Sequence, residues 1–213
     1  MFYLNEHLVF PDVSQATKQG LLAIGGDLSP ERLIVAYQSG IFPWFSDGDP
    51  ILWWSPNPRF VLFPDKLKIS KSMKQLLRNN DFIVTLNSDF EKVVQQCANI
   101  KRDGQPGTWI TQNMSEAYVR LHQLGYAKSV EVWKDDQLVG GLYGVDLGNG
   151  VFCGESMFSK ISNASKVGFI HLIENSKYRL IDCQVYTKHL ENLGAEEISR
   201  NEFLTYLEVN PNI

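Results

Sequence analysis

With 213 residues, the chain is long enough to bury a sizeable core, in one large domain or in a small one joined to a standard one. Hydrophobic residues make up 44% and charged residues 21%, ordinary globular usage that excludes disorder, coiled coil and low complexity. A net charge of -4 excludes a chain coated in basic charge, and the three cysteines, Cys97, Cys153 and Cys183, lack metal-ligand spacing and fit a reducing cytoplasm. No basic segment followed by an apolar one opens the chain and no run approaches a membrane span, so a soluble, cytoplasmic protein is expected.

Up to Leu62 the sequence is loop-rich and aromatic, with turn signals at Gly25-Gly26-Asp27, Phe42-Pro43-Trp44 and Ser55-Pro56-Asn57-Pro58. One helix stands out: Ser29 can cap it, Pro30 suits its first position, Leu33, Ile34 and Tyr37 share a face, and Gly40 can end it in the left-handed conformation. Residues 1–62 are read as a small N-terminal domain and 63–213 as a larger one. The larger part opens with a helix from about Lys71, a strand from Phe82 to Leu86 and a helix from Asp89 to Cys97. A helix capped by Thr111 then runs through Met114, Tyr118 and Leu121 to Gly125. Strands from Ser129 to Trp133, Leu138 to Val145 and Val151 to Cys153 form an antiparallel meander. A helix from Asn163 to Asn175, a strand from Leu180 to Val185 and a helix ending at Gly194 follow. In the last helix Ser199 and Glu202 have capping-box spacing. Helices on a largely antiparallel sheet make an α+β fold.

Two short acid-bearing segments carry the chemistry: Phe152-Cys-Gly-Glu155-Ser-Met-Phe-Ser159 and Leu180-Ile-Asp182-Cys-Gln184. Asp182 and Gln184, two apart on a strand, project from one face, with Cys183 on the other. A carboxylate beside a carboxamide can fix which way the amide turns and leave its oxygen to accept from an incoming amine. The plainer reading of the spacing is a carboxylate bonding backbone at a strand end and an amide facing solvent. Glu155 follows a glycine at the end of another strand, where a side chain can be presented to a cleft. Cys153 and Cys183 are read as core residues, because an activated thiolate needs an adjacent base or positive field.

Aromatics cluster in Phe42-Pro-Trp44-Phe45 and Trp53-Trp54, within a segment too short to bury many rings alone, and Trp109 stands in Gly107-Thr-Trp-Ile110. They either pack between domains or offer a stacking surface for a base. From Lys66 to Arg78 there are five positive charges and no acid; at helical spacing Lys71, Lys74 and Arg78 share one face, with Met73, Leu76 and Leu77 opposite. Such a face is either merely solvated or a phosphate contact.

These segments, with Gly20 to Pro30, Gly140-Gly-Leu-Tyr-Gly144 and Asn163-Ala-Ser-Lys166, resemble in one order the leucyl/phenylalanyl-tRNA–protein transferase family over about Gly20 to Tyr206; the residues before Gly20 match poorly. The resemblance implies a small N-terminal domain followed by an acetyltransferase-like (GNAT-like) catalytic domain. It also implies ATP-independent transfer of leucine or phenylalanine, and less readily methionine, from aminoacyl-tRNA to an N-terminal Arg or Lys of an acceptor protein. The product is an N-degron that marks the acceptor for proteolysis. No cofactor and no metal are implied, no membrane partner, and a monomer is expected. By the same resemblance Asp182, Gln184 and Glu155 are catalytic. Tyr37, Trp44, Trp109, Tyr118, Leu142, Phe152 and Met157 hold the aminoacyl-adenosine and its side chain, and Lys71, Lys74 and Arg78 contact tRNA phosphates. Leu142 stands where a compared member carries methionine. The rivals are a CoA-dependent N-acyltransferase, for which the glycine-rich pyrophosphate loop is missing, and a non-catalytic RNA-binding protein, which leaves the paired polar groups unexplained.

Overall fold

The computed structural model describes residues 2–79, 81–100 and 109–208. A small sheet contains strands β1 (Phe2–Leu4), β2 (Leu21–Gly25), β3 (Phe42–Pro43) and β4 (Leu52–Trp54), in the order β1-β2-β4-β3. Helix α1 (Pro30–Gln38) is built as its sequence implies: the Ser29 hydroxyl accepts from the Arg32 N–H at 3.4 Å, and Gly40 leaves the helix at φ +72°. None of the four strands is expected from the sequence. They are only two to five residues long, too short to show a period, and they depend on pairing between distant segments, such as parallel β1 on β2.

The second sheet contains β5 (Arg59–Leu62), β6 (Ile83–Leu86), β7 (Ala127–Lys134), β8 (Gln137–Asp146), β9 (Val151–Ser159), β10 (Leu180–Gln184) and β11 (Glu196–Ile198). Its order is β11-β5-β10-β9-β8-β7-β6, antiparallel throughout except for parallel β9 and β10. Around it lie α2 (Lys71–Asn79), α3 (Phe90–Asn99), α4 (Gln112–Gln123), α5 (Ala164–Glu174), α6 (Lys188–Asn192) and α7 (Arg200–Glu208), which is the expected α+β class. The expected caps form: the Thr111 hydroxyl accepts from Met114 N–H at 3.2 Å, and the Ser199 hydroxyl from Glu202 N–H at 3.1 Å. Among the described residues no helix is long and apolar enough to cross a membrane.

The sequence and the structure part at three places in this sheet. Strand β9 runs on to Ser159, past the expected stop at Cys153, because Gly154, Glu155 and Ser156 break the apolar alternation without breaking the strand. Glu196-Glu-Ile198 is too short and too charged to read as a strand, yet it pairs with β5. Strand β5 itself lies between β10 and β11, so the chain changes sheets between Trp54 and Arg59, ahead of the expected division after Leu62. The core does not divide there either. One buried cluster runs from Leu33, Tyr37 and Trp53 through Val61 to Tyr118, Tyr143 and Phe203.

The glycines of the Gly140 to Gly144 segment permit close approach. A Cβ at Gly140 would stand 2.6 Å from the Cβ of Ala164, and one at Gly144 would stand 2.3 Å from the Cys153 carbonyl oxygen. Glycine at 140 therefore lets the first turn of α5 pack directly on β8.

Candidate active site

Strands β9 and β10 pair only as far as Cys153 and Asp182, which are partners in register. There β10 shifts register against β5, and Gln184 takes a φ of +63°. A non-glycine residue in that region costs about 1–3 kcal/mol and persists only where its surroundings hold it. Here the Gln184 N–H donates to Asp182 Oδ1 at 2.9 Å. The site thus forms where a parallel pair of strands is prised open by a bulge.

Four groups form a hydrogen-bonded chain from the opening into the core. The Gln184 side-chain amide donates from Nε2 to Glu155 Oε1 at 2.8 Å. The Tyr118 hydroxyl donates to Glu155 Oε2 at 2.6 Å, and the Tyr37 hydroxyl lies 2.6 Å from that of Tyr118. Because the Tyr118 proton goes to Glu155, Tyr37 is the donor to Tyr118. Burial pushes both phenols well above their ordinary range, so they remain protonated donors. Burial also pushes the Glu155 carboxyl up to about 7, against the hydrogen bonds from Tyr118 and Gln184; the charge of Asp182 adds to the rise.

Asp182 is fully buried and answers to a residue that the sequence did not single out. Arg59 Nε donates to Asp182 Oδ1 at 2.8 Å and Nη2 to Oδ2 at 2.6 Å, a bidentate pair. Arg59 Nη1 also donates to the Gly40 carbonyl at 3.2 Å, and the guanidinium lies 4.8 Å from the Phe42 ring and 4.5 Å from the Phe203 ring. The one available signal was a basic residue heading the apolar run Arg59-Phe-Val-Leu62. The expected orienting partner of the Gln184 amide therefore changes. Strand alternation fails at the bulge, Asp182 takes the backbone N–H of Gln184, and Glu155 takes the amide.

Above these groups lies a cavity of about 500 Å³. Leu142, Phe152 and Met157 line it, as do Phe158, Phe169 and Ile181, and Trp44 and Trp109 stand on its wall. Tyr37 and Tyr118, expected beside the aminoacyl-adenosine, are buried in the core and reach Glu155 from there through their hydroxyls. Cys183 is half-buried on the cavity wall, not in the core, because it is the extra residue of the bulge. Burial pushes the thiols of both Cys153 and Cys183 up, so neither is a ready thiolate. Lys71, Lys74 and Arg78 are exposed on α2, away from the cavity, while Met73 on the opposite face is buried. Gly107 and Thr108, expected next to Trp109, lie outside the described residues.

The family model described as leucyl/phenylalanyl-tRNA protein transferase matches residues 61–208, and the model of that family's N-terminal domain matches residues 26–57. The chain belongs to the leucyl/phenylalanyl-tRNA–protein transferase family. Relatives bearing the family name include a protein of Flavobacterium johnsoniae, 60% identical over 98% of this chain and 99% of its own length. Another, from Christiangramia forsetii, is 58% identical over 97% of this chain and 100% of its own length. A third, from Syntrophus aciditrophicus, is 59% identical over 94% and 84%. This chain is accordingly an enzyme, a transferase of aminoacyl groups from tRNA to protein. Among solved structures a GCN5-related N-acetyltransferase from Kribbella flavida covers 78% of this chain and 59% of its own at 9% identity, with a TM-score of 0.38, too low to carry any argument.

Proposed function

We propose that this transferase moves leucine or phenylalanine, and less readily methionine, from aminoacyl-tRNA to an N-terminal Arg or Lys of acceptor proteins in the cytoplasm, creating an N-degron. One observation carries this reading: an apolar cavity of about 500 Å³ closed at its floor by the Gln184 amide and the Glu155 carboxylate. An apolar wall of Leu142, Phe152 and Met157 suits an aliphatic or aromatic side chain and leaves a polar or charged one without partners. The floor suits an amine.

Aminoacyl-tRNA is an activated ester, so its attack by an amine needs no ATP. An α-amino group has an ordinary pKa of about 7.7–8.0, so at neutral pH a useful fraction is already uncharged and a strong base is not required. Because Gln184 Nε2 is committed to Glu155, its amide oxygen is the acceptor that lines up the incoming N–H. Glu155, ionised above about pH 7, attracts the cationic acceptor and offsets the positive charge that grows on the attacking nitrogen. Asp182 also lines the cavity, but its two carboxylate oxygens are taken by Arg59. It is a positioning residue, tied to Arg59 and to the backbone of Gln184.

The direct test incubates the purified protein with radiolabelled leucyl-tRNA and an arginine-starting acceptor, without ATP, and sequences the acceptor's N-terminus. Leucine ahead of arginine is expected; no transfer from leucyl- or phenylalanyl-tRNA to arginine or lysine acceptors rejects the reading. Trp109, half-buried on the cavity wall, is assigned to stacking on the terminal adenine. Base stacking is worth about 1–3 kcal/mol, so Trp109→Ala raises KM for aminoacyl-tRNA about tenfold or more with little change in kcat. An unchanged KM removes the adenine from that wall. The exposed Lys71, Lys74 and Arg78 are assigned to acceptor-stem phosphates. Reversing all three to glutamate should weaken tRNA binding and lower the log–log salt slope by about 0.9 for each duplex phosphate that the face no longer neutralises. A slope equal to that of the parent makes this face a solvated one.

A further inference from the structure

His189, on α6, lines the cavity, and its Nε2 is buried without a hydrogen-bond partner in the structure. A buried polar nitrogen of this kind calls for a ligand atom or a water. The neighbouring charge is Lys166, half-buried in the first turn of α5 and next in sequence to Ser165, which lines the same cavity as His189. Its Nζ donates to Asn163 Oδ1 at 3.3 Å, and among the described residues no carboxylate pairs with it. Burial, and secondarily the Lys166 charge, lower the His189 pKa, so at neutral pH the imidazole is uncharged and can donate one hydrogen bond. The same turn of α5 faces two ways: Ser165 lines the cavity, while Ala164 shares a buried cluster with Met73 of α2. Ser165 and His189 thus share the cavity wall, and the turn of α5 that carries Lys166 also joins the cluster that holds Met73 of α2.

We propose that Lys166 and His189 form a subsite for a phosphodiester of the single-stranded 3′ end of the aminoacyl-tRNA, where the strand leaves the cavity toward α2. The inference rests on the aminoacyl-tRNA reading above. An uncompensated cation next to a hydrogen-bond donor selects an anion, and of the two substrates the nucleic acid carries an obligatory one at every step along its chain. The acceptor begins with a cation, which Lys166 repels. Neither residue reads a base, so the subsite holds any tRNA with the same terminal strand.

The test uses the full chain and two non-reactive probes: phenylalanyl-adenosine with an amide in place of the ester, and the same compound extended at its 5′ oxygen by a cytidylyl phosphodiester. The parent protein should bind the phosphate-bearing probe about tenfold more tightly, the effect of one charge-assisted hydrogen bond. Lys166→Gln and His189→Phe should each remove most of that advantage while leaving affinity for the nucleoside probe unchanged. Lys166→Arg should keep it, and a neutral methylphosphonate linkage should abolish it in the parent. The advantage surviving in both variants, or both probes weakening equally, overturns the subsite and leaves the transferase reading standing. Failure of the parent to bind either probe overturns the subsite together with the placement of the aminoacyl-adenosine in this cavity.

Discussion

Replacing Arg59 with methionine is expected to lower the unfolding free energy by about 3–5 kcal/mol, the usual cost of leaving one member of a buried ion pair without its partner. Asp182 is fully buried and both of its oxygens are taken by the guanidinium, at 2.8 and 2.6 Å. Without Arg59 it must either stay charged in an apolar core or take up a proton, and both are unfavourable. The guanidinium also spans the fold: it bonds the Gly40 carbonyl that follows α1 and sits against Phe42 and Phe203. The double variant Arg59→Met with Asp182→Asn should recover part of the loss, since an amide tolerates burial better than an orphaned carboxylate. Urea denaturation of the parent, both single variants and the double variant gives the coupling directly. Additive losses would show that the two residues stabilise the fold separately. Transfer should fall in all three variants, because Asp182 holds the strained Gln184 backbone. A variant with weakened stability and parental kcat would confine the pair to a structural role.

That pair also marks where sequence reading stops. The caps of α1, α4 and α7 and the strands β7 and β8 are legible because their causes are local: a hydroxyl three residues ahead of an N–H, or an apolar alternation along one segment. Asp182, Gln184 and Glu155 are legible as polar groups in patterned segments. Their wiring is not. Arg59 meets Asp182 across 123 positions of sequence, and Tyr37 meets Tyr118 across 81. Contacts at that separation leave no periodic trace. The bulge at Cys183 escapes for another reason: a register shift changes which face a side chain takes without changing the residue order. Strand alternation therefore assigns the Gln184 amide to Asp182, and Cys183 to the core. The family resemblance places Tyr37 and Tyr118 against the adenosine. What the sequence does not show is that their rings are fully buried and that their hydroxyls form a hydrogen-bonded chain to Glu155.

Glu155→Gln is expected to lower kcat/KM about 10²- to 10³-fold, the loss that follows removal of a group stabilising charge in the transition state. The pH dependence distinguishes this from simple damage. In the parent, kcat/KM should rise as the Glu155 carboxyl ionises through about pH 7, and in Glu155→Gln that limb should vanish. A limb near pH 8 from the acceptor's own α-amino group should remain in both. Stability should respond with the opposite sign. The folded carboxyl titrates at about 7 against an ordinary 4.5, so between those values the folded chain binds more protons than the unfolded chain. Unfolding free energy then falls as pH rises across that window, by about 3 kcal/mol in all, and levels off above it. Glu155→Gln has nothing to titrate and should lack this slope. Its absolute stability is a poorer guide, because an amide cannot accept from both Tyr118 and Gln184 as the carboxylate does. Urea midpoints at pH 5 and pH 8 for the two proteins suffice. If the two lose stability in parallel while the rate profile keeps its limb near 7, the titrating group in the site is not Glu155, and the assignment of the acceptor's charge to this carboxylate fails with it.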